Sequence, residues 1–313
     1  MIWLTLAIFA YLFFALNVIG DKFLLSGSSL KHPSTYAFFV GFLGLGLLVL
    51  IPFWGFPIPI SFISFSLAFS SGAIFIAALL PFYTGLKKFQ ASSMIPATGA
   101  LQPIFILLLS LVLFSLARAI SPGEFLAFTL LLLGSVLITM GKKGKISKES
   151  LILAALAAFL FALSFVLLKQ AYLIESFWAG LLWSRIGAGF TGIIIFLCLP
   201  GVRRELYFFS GLGSKTGRTS VKKTAALFVL AQVLGVTAGF LQHASIYEAP
   251  TYAIPIISAL QGVQYVFLFL LAVFASRKFP DVFEEFYTRD GAIRKILATG
   301  MIIAGVTMLV YFR

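Results

Sequence analysis

Acidic side chains are nearly missing from this sequence: ten Asp and Glu stand against 23 Lys and Arg, with two His and one Cys among 313 residues. No acid falls in the middle of any long apolar stretch. That excludes the paired carboxylates, His-Glu-x-x-His sets and Asp clusters on which membrane hydrolases and transferases depend. It also excludes a simple proton pump, which needs an Asp or Glu inside the membrane to carry the proton. The histidines do not repair the gap, since His32 lies in a loop and His243 near a helix end. Cys198 is alone, so the chain has no intrachain disulfide and no thiolate metal site. A Gly-rich stretch at 211–219, Gly-Leu-Gly-Ser-Lys-Thr-Gly-Arg-Thr, superficially looks like a phosphate-binding loop. It lacks the leading glycine, has arginine in place of lysine and follows no strand. The sequence therefore predicts no enzyme, no catalytic residue, no resident metal and no cofactor.

What is present is apolar. Hydrophobic residues make up 61% of the chain, charged residues only 11%, and the mean hydropathy is +1.08. A soluble helical protein would show one polar face per helix, whereas most segments here are apolar all round. Ten stretches have the length of a bilayer crossing: 2–20, 34–52, 61–86, 91–116, 123–140, 151–172, 176–199, 224–246, 251–276 and 293–312. The first begins Met-Ile-Trp with no basic leader or cleavage site, which reads as a retained helix. Connections are short and leave no room for a soluble domain. The connections after the odd-numbered stretches hold 19 Lys and Arg, and the opposite face holds two, Arg118 and Arg313. The positive-inside rule makes the first face cytoplasmic and puts both termini outside, in a cytoplasmic (inner) membrane. The +13 net charge is then a matter of topology and anionic lipid heads, and no nucleic-acid partner is expected.

The chain also repeats itself. Residues 94–102, Met-Ile-Pro-Ala-Thr-Gly-Ala-Leu-Gln, return at 253–261 as Ala-Ile-Pro-Ile-Ile-Ser-Ala-Leu-Gln, 159 positions on. Proline gives up a backbone hydrogen bond, and the glutamine that follows must face protein or water, so each copy marks a locally weakened helix beside a cavity. Residues 14–22, from Phe-Ala-Leu-Asn to Lys22, match 161–169 at an offset of 147; Thr129 and Gly134 match Gly300 and Gly305 at 171. The steps in offset fall in the basic loops after the seventh and ninth stretches, where insertion is cheapest. Five crossings per half is an odd number, so the halves 1–146 and 147–313 enter the membrane in opposite senses. The expected fold is an all-α membrane protein of ten transmembrane helices in two inverted five-helix repeats.

Ten crossings in two halves, a lysine near the end of the first helix of each half (Lys22, Lys169), an arginine early in the seventh (Arg185), and a fourth helix with proline before a small-residue Leu-Gln-Pro stretch resemble the EamA-like ten-helix branch of the drug/metabolite transporter superfamily. Where that family places an acid after the fourth helix, this chain has Arg118, with Glu124 later; Arg185 is matched by Gly41 in the second stretch. The resemblance implies a secondary transporter, an exporter or exchanger of a small metabolite such as an amino acid, working by alternating access as a monomer or weak dimer. Its partners are then a small-molecule substrate and the bilayer. A non-transporting scaffold or lipid-binding protein on the same fold is the alternative.

Candidate cavity residues are the polar and aromatic groups deep in the apolar stretches: Asn17, Tyr83, Gln102, Trp183, Arg185, Tyr252, Gln261 and Tyr265, with Pro96 and Pro255 as hinges. Gln102 and Gln261 are repeat-related, and Asn17, the one asparagine, is matched by Ser164. Lys22 and Lys169 are expected to snorkel to the head groups. Gly235 and Gly239 form a Gly-x-x-x-Gly pattern that allows close helix packing. Arg185 lies nine residues beyond Ser176, about 13–14 Å along a helix and near the midplane. A guanidinium at that depth costs roughly 2.5–3.5 kcal/mol on insertion scales, so it must meet carbonyls, polar side chains or an anionic ligand.

Overall fold

The computed structural model describes residues 2–25, 33–89, 91–114, 121–139, 148–210, 218–275 and 289–311. Every regular element among them is helical. In order these are α1 (Ile2–Leu25), α2 (Pro33–Gly44), α3 (Ile51–Trp54), α4 (Phe62–Lys88), α5 (Ala91–Leu113), α6 (Pro122–Thr139), α7 (Lys148–Tyr172), α8 (Phe177–Cys198), α9 (Pro200–Ser210), α10 (Arg218–Glu248), α11 (Ile254–Ala259), α12 (Gln261–Ala275) and α13 (Arg289–Tyr311). Six stretches are long and apolar enough to cross a bilayer: Ile2–Ile19, Pro33–Phe53, Phe62–Lys88, Lys148–Tyr172, Phe177–Cys198 and Thr251–Leu271. Shorter apolar stretches lie in α5, α6 and α13. Large apolar residues such as Val112, Ile152, Phe190 and Ile303 are exposed on the outside, the surface a multi-pass membrane protein presents to lipid. Residues 26–32, 115–120, 140–147, 211–217 and 276–288, with Arg118 and much of the basic loop sequence, lie outside the described residues.

Two stretches that read as continuous helices are interrupted. The 34–52 stretch passes from α2 into a 3-10 segment, Leu45–Leu50, before α3. Pro52 has no N–H to offer the carbonyl of Leu48, and the Ile51 N–H takes that carbonyl instead, tightening the turn. The 251–276 stretch opens with a 3-10 turn, Thr251–Ala253, and breaks again between α11 and α12 at Leu260. Carbonyls at this second break have side chains close by. The Tyr11 hydroxyl donates to Ile257 O at 2.7 Å, and Ser135 Oγ lies 3.4 Å from Ala259 O. Irregular backbone at membrane depth survives where protein surrounds it, and Ile254, Ile256, Ile257 and Leu260 are fully buried. By contrast α5 runs unbroken through Pro96.

Glycine decides which helices touch. A Cβ on Gly72 of α4 would strike the Ser184 carbonyl of α8, and one on Gly187 the Phe69 carbonyl in return. Gly41 of α2 and Gly192 of α8 meet with backbones in direct contact. Without a hydrophobic drive between helices in lipid, such close backbone approach supplies the dispersion contact that holds them. The other main pairings are α1 with α10, α4 with α7, α5 with α7, and α6 with α13. In the last, Gly134 packs on Ala298 and Ile302, and Gly305 on Ala127 and Leu131.

Glu124, Glu175, Glu205 and Lys169 are buried and each meets a helix end, where backbone groups lack partners. Glu175 accepts from Ile60 N at 2.6 Å and from Ser64 Oγ, at the start of α4. Glu205 of α9 accepts from Thr35 Oγ1 at the start of α2. Ser121 and Glu124 cap α6 reciprocally. Lys169 differs from the snorkelling expectation. Its ammonium turns inward and donates to Ile246 O (3.1 Å), Tyr247 O (3.0 Å) and Ala249 O (2.5 Å), closing the C-terminus of α10. Three carbonyl acceptors there replace the hydration that head groups would provide. The Lys22 side chain lies outside the described residues.

Candidate functional site

Helix α8 starts where Ser176 accepts the Ala179 N–H at 3.3 Å, and its glycines draw it against α2 and α4. This fixes Arg185 deep in the bundle, facing inward. Its side chain runs through space left by two glycines. A Cβ on Gly44 would lie 3.7 Å from Arg185 Cδ, and one on Gly239 only 2.8 Å from Nη2. Arg185 Nε is buried without a hydrogen-bond partner. The guanidinium opens onto a cavity of about 270 Å³ enclosed by α1, α2, α4, α7, α8 and α10.

Most of the wall is apolar, with Phe14, Phe75, Leu79, Phe165, Leu168 and Ile246 among its residues. The polar groups are Asn17, Ser71, Tyr83, Ser164, Ser184, Gln242 and His243, and no acid is among the described lining residues. Asn17 donates to Ala231 O at 2.8 Å from a position over Gly235. His243 Nδ1 lies 2.8 Å from the Tyr172 hydroxyl, and the rings meet edge-on at 6.2 Å. The Gly-x-x-x-Gly pattern of α10 thus makes room for two polar side chains, Asn17 over Gly235 and Arg185 over Gly239.

Three of the residues singled out in the sequence, Asn17, Tyr83 and Arg185, come together on this wall. Gln102, Trp183, Tyr252, Gln261 and Tyr265 do not line it. Trp183 turns away from Arg185, donates to Pro57 O at 3.2 Å and meets Phe56 and Phe65 edge-on. Gln102 is buried on α5. One turn earlier, a Cβ on Gly99 would lie 3.4 Å from Tyr265 OH and 3.8 Å from Gln261 Oε1, so the two proline-glutamine stretches approach each other across α5 and α12. Tyr252 packs against the larger apolar core. Pro255 is buried in the first turn of α11, and the Pro96 side chain lies outside the described residues. Sequence reasoning missed Gly44, Ser71 and Ser184, because glycine and serine are common in membrane helices for packing alone. Among the described residues no group of three His, Cys, Asp or Glu could hold a metal ion.

No family model matches the sequence, and no curated protein matches it. A solved structure described only as "Crystal structure of protein" aligns with 99% of this chain and 96% of its own, with a TM-score of 0.66 at 14% identity. The likeness is one of fold over the whole length.

Proposed function

We propose that the protein is a secondary carrier of a small metabolite, an EamA-like member of the drug/metabolite transporter superfamily, with ten crossings in two inverted repeats, 1–146 and 147–313. On this reading α2 with α3, and α11 with α12, each make one crossing, and α9 lies outside the count. The pairing of helices supports the repeat. Exchanging the halves converts the α1–α10 contact into the α4–α7 contact and returns α2–α8 and α6–α13 to themselves. At residue level the 171 offset carries the neighbours of Gly134, Ala298 and Ile302, back onto Ala127 and Leu131, the neighbours of Gly305. The cavity wall pairs in the same way, Asn17 with Ser164 at 147 and Tyr83 with Gln242 at 159.

The observation that carries the function is the cavity itself, three helices from each half around an arginine whose Nε has no hydrogen-bond partner. A site between two inverted halves, exposed to each side in turn as they rock, is the arrangement of alternating access. No acid is among the described wall residues, and exchange or facilitated movement of solute needs no proton carrier. Purified protein in liposomes should show substrate-dependent counterflow, which a scaffold or lipid-binding protein does not. The 19-to-2 loop asymmetry puts both termini outside the cytoplasm. A reporter active only in the cytoplasm, fused after Arg313, should be silent; strong activity overturns the orientation.

A further inference from the structure

We infer that the cavity selects a small organic anion carrying one carboxylate on an uncharged, mainly apolar body; the inference rests on the carrier reading of the same site. Arg185 is the one charged side chain on the described wall. Its guanidinium is held against the α10 backbone at Gly239, its Nε has no protein partner, and no carboxylate is among the described residues that line the space. A buried charge left without a counter-charge is costly. The rigid fork of guanidinium donors fits a carboxylate bidentately, so the missing counter-charge belongs to the ligand.

One cation neutralises one anion and no more. Among the described wall residues a ligand ammonium would find no acid, and a second carboxylate no second cation, because the Lys169 ammonium is engaged with three carbonyls at the C-terminal end of α10. Zwitterions and dianions therefore strand a charge among Phe14, Phe75, Phe165, Leu79 and Leu168. These side chains suit an apolar body, and about 270 Å³ of space lies just below the usual range of ligand pockets. Two pairs of polar wall residues are repeat-related, Asn17 with Ser164 and Tyr83 with Gln242, but Arg185 is matched by Gly41 and has no charged counterpart. The cavity is electrically lopsided, and the carboxylate end lies at the α8–α10 wall.

A matched series isolates charge from shape: 3-phenylpropanoate, L-phenylalanine, 2-phenylethylamine and phenylsuccinate, titrated against the purified full chain. We expect 3-phenylpropanoate to bind, phenylalanine to bind at least about tenfold more weakly, and the amine and diacid not to bind. Arg185→Gln should abolish carboxylate binding without lowering the melting temperature, and Arg185→Lys should weaken it about tenfold by losing the fork. Gly239→Ala removes no charge but pushes on Nη2, and should weaken binding while the protein stays folded. Equal or tighter binding of phenylalanine or the amine overturns the inference, as does full affinity in Gly239→Ala together with Arg185→Lys, or failure of the carboxylate to bind. Displacement of 3-phenylpropanoate by phosphatidylglycerol, at constant detergent, would identify a lipid phosphate as the occupant and equally overturn it. Liposome counterflow separates the two readings. Arg185-dependent carboxylate binding without counterflow sinks the carrier and leaves the charge selection; counterflow of the amine sinks the charge selection and leaves the carrier.

Discussion

The interior around α6, α11 and α13 and the interior around Arg185 use their glycines in opposite ways. In the first, glycines at 134 and 305 bring the helices into contact, and the Tyr11 hydroxyl reaches a carbonyl beside the break at Leu260. Groups left without partners there include the Ser258 and Thr299 hydroxyls and, near the start of α13, Arg294 Nε. In the second, glycines at 44 and 239 make room for a side chain and not for a helix, and the group left without a partner at Nε is charged. An unmet hydroxyl costs about 1–3 kcal/mol, and an unmet charge more. In the first region helices pack against one another, whereas in the second Arg185 borders a cavity.

Substitutions at the closed contacts should break this contrast most visibly. A leucine at Gly134 must displace Ile302 and the Ala298 carbonyl, so Gly134→Leu should cost about 3 kcal/mol or more, read as a collapse of the monodisperse peak in detergent. Lys169→Met leaves three carbonyls at the C-terminal end of α10 without their donor and should lower stability by about 2–3 kcal/mol, seen as a lower melting temperature. Trp183→Phe removes only the bond to Pro57 O; a loss near 1 kcal/mol with ligand affinity unchanged is expected, and a large change in affinity would place Trp183 at the site after all. Pro255→Ala should change stability by less than about 0.5 kcal/mol, because the proline sits in the first turn of α11 and the break lies five residues later.

The sequence's apolar runs marked where helices form, and Gly134 and Gly305, aligned at an offset of 171, each pack on the other's helix, α13 and α6. The depth of Arg185 was legible from its distance to the Ser176 cap. What a residue faces was harder to read. A helix that is apolar all round carries no periodicity to say which side is inward, so Trp183 and Arg185, two residues apart, could not be told apart before packing turned one to the 55–61 segment and the other to the cavity. Lys169 was misread for the same reason: a lysine at a helix end can reach head groups or a neighbouring helix terminus, and only the position of α10 decides. The breaks at 45–50 and at 260 depend on which carbonyls find partners across the fold, which no local pattern records.

The central claim is that the cavity opens to each side of the membrane in turn. In a Cys198→Ser background, Ser71→Cys on α4 and Ser164→Cys on α7 place a thiol on the cavity wall, to be labelled in oriented vesicles by a membrane-impermeant reagent applied to one face or the other. The account predicts labelling of each from both faces, suppressed by saturating ligand. Labelling from one face alone, or labelling that ligand leaves unchanged, would contradict it.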